Sequence, residues 1–306
     1  MNRKLSLIVL LMAVGQCLAQ TPLNRTSQRT VTQISPYYFG PNAFAVPEML
    51  DGRVQSVLRA ELATDYFKGF RGDRTIDAAV KINIPLWTDR INLSAWMPVM
   101  EWYHNTDESL AASRVQPENI DNARSGHLTG DVYVSTDIQI LRESGLRPDV
   151  TARVALKTAS GFESFNARYY DSPGYFFDLT VGKSLPIGES QKWEHRLRLA
   201  LTTGFLCWQT DLARQNDATQ WGVLLKWENT FFSLSGSIAG YGGWEHNNEN
   251  GELAHDQPAV LRTDLACHLG QFDVMAVYQY GLRDYPYHLI RAGVAYKFDI
   301  LSLTKP

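Results

Sequence analysis

Ionisable side chains recur at alternate positions along this chain, and their types suit ion selection better than covalent catalysis. Arg153, Lys157, Arg196 and Arg198 fall in neighbouring segments and together could attract an anionic solute. Asp131, Asp178, Lys226 and Arg291 occupy the same kind of alternating position and complete the candidate lumen set. Nucleophilic chemistry has thinner support. His104-Asn105-Thr106 and His127-Leu128-Thr129 each place a hydroxyl two residues from an imidazole, on one strand face. Threonine is a rare nucleophile away from a chain's N-terminus, so no catalytic residue is assigned. Glu245, His246, Glu249, Glu252, His255 and Asp256 crowd one stretch, but their spacing fits neither a calcium loop nor a zinc motif. A solvated loop is expected there, with no metal and no cofactor. His268 and Asp264 read as an internal hydrogen-bonded pair.

The elements that position these groups are strands. From Thr75 to Leu86 one face carries Ile76, Ala78, Val80, Ile82 and Ile84, while Thr75, Asp77, Lys81 and Asn83 share the other. The same period of two runs through Ile91 to Met100, Leu128 to Ile140, Val150 to Lys157 and Leu197 to Phe205. It recurs in Trp221 to Glu228, Phe232 to Ile238, Leu261 to His268 and Ile290 to Phe298. With Arg53 to Phe67, Tyr175 to Val181 and Phe272 to Leu282, this predicts about twelve strands of bilayer-crossing length, each oily on one side and polar on the other. The fold class is therefore all-β, a transmembrane antiparallel β-barrel with up-and-down meander order.

Connection lengths sort the same way. Tyr103 to Gly126, Ser160 to Gly174, Thr210 to Gln220 and Glu245 to Pro258 form long loops at one rim. Thr88-Asp89-Arg90, Glu228 to Phe231 and Gly270-Gln271 form tight turns at the other, as in an outer-membrane barrel. Trp87, Trp193, Trp227, Tyr296 and Phe298 gather near the short-turn ends. Trp102, Trp208, Trp221, Trp244 and Tyr280 gather near the long-loop ends, which reads as two interfacial girdles. Charged positions such as Arg59, Glu61, Asp65, Asp264 and Lys297 then point inward.

Residues 1–19 have the build of a removable export signal: basic Asn2-Arg3-Lys4, an apolar run from Leu5 to Val14, and small residues before Gln20. Acylation of Cys17 is the alternative, although Gln16 stands where a lipobox wants a small residue. The net charge of −3 leaves no nucleic-acid footprint. After cleavage only Cys207 and Cys267 remain, too few for a disulfide framework. The expected setting is the outer membrane of a Gram-negative bacterium. Lipid and the barrel-assembly machinery are the expected partners, and a small solute is the candidate cargo.

Gly130-Asp131-Val132-Tyr133, followed by Ala155-Leu156-Lys157-Thr158-Ala159-Ser160-Gly161, resembles a motif pair of a broad group of outer-membrane barrels. That group includes the family named for the meta-pathway of phenol degradation and lies near the fatty-acid-transporter type of channel. The resemblance implies a barrel that moves small solutes. Some twelve-stranded barrels instead hydrolyse lipids with a Ser–His pair on the lipid side, which makes a lipid-modifying hydrolase one alternative. A structural or adhesive barrel with a closed lumen is the other.

Residues 20–52 differ in kind from the barrel at 53–301. Ser35-Pro36-Tyr37-Tyr38-Phe39-Gly40-Pro41 is too rich in proline for a central strand and too aromatic for plain disorder. Tyr37, Tyr38, Phe39 and Phe44 are expected to pack against inward-facing Trp96, Met100, Phe176 or Met275, plugging the lumen or capping its periplasmic mouth.

Overall fold

A computed structural model describes residues 41–42, 44–86, 89–113, 124–161, 173–190, 193–209, 214–243 and 257–298. The export-signal residues, Tyr37, Tyr38, Phe39, Trp87, Trp244 and the acidic, histidine-bearing stretch from Glu245 to Asp256 lie outside them.

The described chain is almost entirely strand. In order these are β1 (Leu58–Gly69), β2 (Arg74–Pro85), β3 (Ile91–His104), β4 (Ser125–Leu128), β5 (Tyr133–Leu141), β6 (Asp149–Lys157) and β7 (Gly174–Ser190). Then come β8 (Trp193–Gln209), β9 (Arg214–Glu228), β10 (Phe232–Gly243), β11 (Ala259–Leu269), β12 (Phe272–Arg283) and β13 (Tyr287–Phe298). Segments β4 and β5 both pair with β3 and are two halves of one strand, so the barrel has twelve strands. Each pairs antiparallel with its neighbour in sequence, and β1 pairs with both β2 and β13, which closes the wall. No free edge is left to template aggregation.

Alternation explains the barrel's two surfaces. On β1, Leu62 is 68% exposed while its neighbour Glu61 is 9% exposed. Leu199, Leu201, Val223, Leu225, Ile290 and Val294 are likewise exposed, whereas Asp65, Asp77, Thr151, Asp178 and Arg198 are buried. Oily residues outside and charged ones inside make sense only where the outer solvent is lipid. Among the described residues a single short helix, α1 (Asp107–Ser113), follows β3, and the Thr106 hydroxyl caps it by accepting from the Ser109 amide at 3.1 Å.

Three expectations need correction. The pairing slips between Ala78 and Ala79, where Val99 and Met100 form a bulge beside Pro98. Proline has no amide for the ladder, and a bulge beside it inverts the phase of everything that follows. Met100 therefore pairs with outward Ala78 and does not face the lumen, while Glu101 turns inward and is fully buried. Trp208 is no girdle residue: its parity in β8 directs it inward, and it is 1% exposed. The loop expected from Thr210 to Gln220 is mostly strand, since β8 and β9 stay paired as far as Gln209 and Arg214. Backbone pairing there outlasts the apolar alternation, because strands projecting above the bilayer need no oily face.

Candidate functional site: the barrel lumen

The lumen is threaded by the chain's own residues 41–42 and 44–55. They descend from the long-loop end to the short-turn end and there enter β1. Near the long loops Asn42 donates through Nδ2 to Asp77 at 2.6 Å and to Glu101 at 3.1 Å, while Tyr133 donates its hydroxyl to the Asn42 carbonyl at 3.1 Å. Phe44 and Val46 then pack against a buried cluster of Tyr133, Ala155, Phe176, Leu206, Trp208 and Tyr241. Tyr241 donates to the Phe44 carbonyl at 2.8 Å. Phe44, expected as a packing residue, meets the aromatic wall here, toward the long loops and away from the mouth at the short-turn end.

Halfway down, Glu48 faces three cations: Arg291 at 2.9 Å, Arg262 at 3.2 Å and Lys81 at 3.3 Å. Arg262 and Lys81, helped by Arg291 and opposed by burial, hold its carboxyl well below the ordinary 4.5. At the short-turn end Asp51 meets Arg53 at 2.5 Å and Lys226 at 3.0 Å. Burial would raise this carboxyl, but Lys226, Arg53 and Arg198 outweigh it and hold it below the ordinary 3.8. Arg53 forks onto both oxygens of Glu228 at 2.8 and 2.7 Å. The Gly52 carbonyl accepts from Thr151 at 2.6 Å and Gln139 at 2.9 Å.

Backbone proximity makes this seat possible. Gly52 has φ +87°, and a Cβ there would lie 2.9 Å from the Gly182 amide nitrogen. A Cβ on Gly182 would in turn lie 2.3 Å from the Asp51 carbonyl oxygen. Glycine on the β7 wall is what lets the segment lie against it.

The expected basic patch dissolves into pairs. Arg153 places Nε and Nη2 on Asp178 at 2.9 and 2.5 Å. Lys157 pairs with Asp131 at 2.7 Å, and that aspartate also accepts the Ser160 and Gly161 amides at 3.1 and 2.6 Å. The recognisable motif pair is thus a latch tying the start of β5 to the end of β6. Both its side chains are buried, so neither is open to a solute. Arg198 is fully buried, donating to the Asp51 carbonyl at 2.6 Å, Asp149 at 2.7 Å and Glu143 at 3.1 Å. Arg196 is exposed at the short-turn rim. Arg291 also holds Asp65 at 2.6 Å, and Lys226 bridges Asp51 and Glu228. His268 bonds Asp273 at 2.8 Å instead of the expected Asp264, which pairs with Arg262. Across the tight turn Asp273 reaches back to that imidazole, a contact that counting along one strand does not reveal.

Around the segment remains a cavity of about 470 Å³, lined by charged groups of both signs and by Trp96, Tyr133, Phe176 and Trp208. Alternation anticipated its charged wall. Glu48, Asp51, Arg53 and Glu101 were missed, the first three because they precede the strands and the last because of the bulge. Outside the barrel, at the long-loop end, His104 Nδ1 lies 2.7 Å from Ser125 Oγ across β3 and β4. Neither expected His–Thr set supplied that contact, since the two residues are far apart in sequence. Among the described residues no group of three or more His, Cys, Asp or Glu side chains is placed to hold a metal ion.

A closed barrel, oily outside and polar inside, is an integral membrane β-barrel of the outer-membrane type. No protein-family model and no curated protein matches the chain. Among solved structures it is similar to the COG4313 outer membrane channel from Pseudomonas putida F1, at 10% identity and TM-score 0.49, covering 84% of this chain and 98% of that one. It is also similar to the transport unit of the autotransporter AIDA-I from Escherichia coli, at 10% identity and TM-score 0.46, covering 87% and 100%. The KdgM porin aligns at 9% identity and TM-score 0.45, covering 78% and 99%. At such scores these likenesses carry no argument about function.

Proposed function

We propose that this protein is an outer-membrane channel for small solutes whose pore is occupied by its own residues 41–42 and 44–55, and that it conducts when this segment shifts. One observation carries the reading: from Glu48 onward the segment is seated beside a cavity of about 470 Å³ by ion pairs, with apolar packing confined to Phe44 and Val46. Ion pairs of this kind exchange partners when the segment moves, whereas strand pairing does not. The pairing of Arg153, Lys157 and Arg198 removes the expected basis for anion preference, so selectivity should be weak. In planar bilayers the full chain should show small conductance, and removal of residues 20–50 should enlarge it severalfold. No resolvable conductance from either form would end the channel reading.

The contact between His104 and Ser125 favours a second reading, lipid hydrolysis at the outer rim. Its test is release of fatty acid from phospholipid micelles by the purified protein, lost in Ser125→Ala. No release by the unaltered protein removes this reading.

A further inference from the structure

Several buried lumen carboxylates keep an oxygen without a hydrogen-bond partner, but Asp131 and Asp178 are ion-paired to Lys157 and Arg153, whereas Asp137 is in no ion pair among the described residues. Asp137 is 6% exposed and lines the cavity. Its Oδ2 accepts from Asn92 Nδ2 at 3.2 Å, but its Oδ1 is buried with no hydrogen-bond partner. The pairing register sets Arg153 directly opposite, yet that guanidinium is committed to Asp178 on its other side and to the Glu48 carbonyl. Asn92, fully buried, is in the same condition: its amide nitrogen serves Ser94 and Asp137 while its Oδ1 has no partner. Unpartnered acceptors on two paired residues, one of them a carboxylate outside any ion pair, are costly. A positively charged donor would relieve both.

The shape above them limits which donor fits. One row nearer the long loops the register sets Ser94, Ser135 and Ala155 side by side, three small side chains. One row further stand Trp96 and Tyr133, stacked with ring centroids 5.0 Å apart. Four residues of strand separate Tyr133 from Asp137, about 13 Å at 3.3 Å per residue. The result is a recess with an acceptor pair at its base, hydroxyls along its side and aromatic rings at its top. A divalent metal would want six or more oxygens and several carboxylates. A short alkylammonium ion wants what is present: acceptors for its N–H groups and, beside them, a recess of small side chains for its organic part.

We propose that Asp137 and Asn92 form a binding site for small organic ammonium ions in the lumen, with Asp137 taking the ammonium group. The site needs an accessible cavity but not conduction, so it stands or falls separately from the channel reading. The test is thermal unfolding of the full chain in detergent micelles with ethylammonium chloride, against sodium chloride at equal ionic strength. Ethylammonium should raise the midpoint by several degrees where sodium does not. Asp137→Asn should abolish that rise. Ser135→Val, which fills the recess and leaves the carboxylate in place, should weaken it at least tenfold in midpoint concentration and serves if Asp137→Asn does not fold. An equal rise with sodium, no rise with either salt, or a rise that survives both substitutions overturns the proposal.

Discussion

At Asn42, Phe44 and Val46 the lumen segment leans on rings and on hydrogen bonds made by its own uncharged groups, two of them to carboxylates; between Glu48 and Val54 it carries charge itself and is held by ion pairs. Phe44 and Val46 meet Tyr133, Trp208 and Tyr241, with tyrosine hydroxyls on the carbonyls of residues 42 and 44. Below them Glu48, Asp51 and Arg53 are tied to Arg262, Arg291, Lys226, Arg198 and Glu228. Apolar contact is nearly indifferent to salt and pH, whereas ion pairs respond to both. One segment thus carries a less sensitive half, with Asn42 on two carboxylates, and a more responsive half. The responsive half lies nearest the point where the segment joins the barrel, so release should begin at the short-turn end.

The largest effect should come from Arg198→Ala. This fully buried cation serves Asp51, Asp149 and Glu143 together, and its removal strands carboxylates away from water. Breaking a buried pair costs about 3–5 kcal/mol. Urea unfolding from detergent micelles should show a loss of that order and reduced occupancy of the lumen; a change under about 1 kcal/mol would mean that the lower half is not ionically held.

Next in size is the double change Glu48→Gln and Asp51→Asn, which removes both negative charges of the lower half, leaving Arg53 on Glu228 and the upper half intact. Its conductance in planar bilayers should rise toward that of the chain lacking residues 20–50. Conductance equal to that of the unaltered protein would place the hold on the rings or on Arg53.

Acid should mimic that variant. Both carboxyls sit below their ordinary values of 4.5 and 3.8, so their stabilisation is fully present above those values. It is lost as pH falls below them, through the depressed folded values. Conductance should therefore stay flat from neutral pH down to about 5 and rise only below about 4. Glu143, in the β5–β6 turn, adds to this: burial opposes its ionisation, but hydrogen bonds from Lys183 and Ser184 prevail and lower it. A rise centred near neutral pH would point to a different titrating group.

Smallest is Tyr241→Phe, which removes one neutral hydrogen bond to the Phe44 carbonyl and keeps the ring. A loss of about 1 kcal/mol is expected, with conductance nearly unchanged. A conductance rise matching that of the double variant would reverse the assignment of the two halves.

Alternation within each strand determined much of this protein before any coordinates. Side chains of a strand point to opposite faces, so Ile76 and Asp77 had to part company, and about twelve such segments with loops sorted by length leave few folds but a closed barrel. That argument is local, and it fails where local phase fails. Pro98 and its bulge turned Glu101 inward, and no count along β3 shows that. The sequence also put Arg153, Lys157 and Arg198 inside correctly, yet it could not tell whether they stood free, because a partner is chosen across strands or from another segment. Asp178 reaches Arg153 from the next strand, and Asp51 reaches Arg198 from far along the chain. Parity is written into neighbouring residues; pairing depends on which distant residues share a level of the closed wall, and only the closed barrel sets those levels.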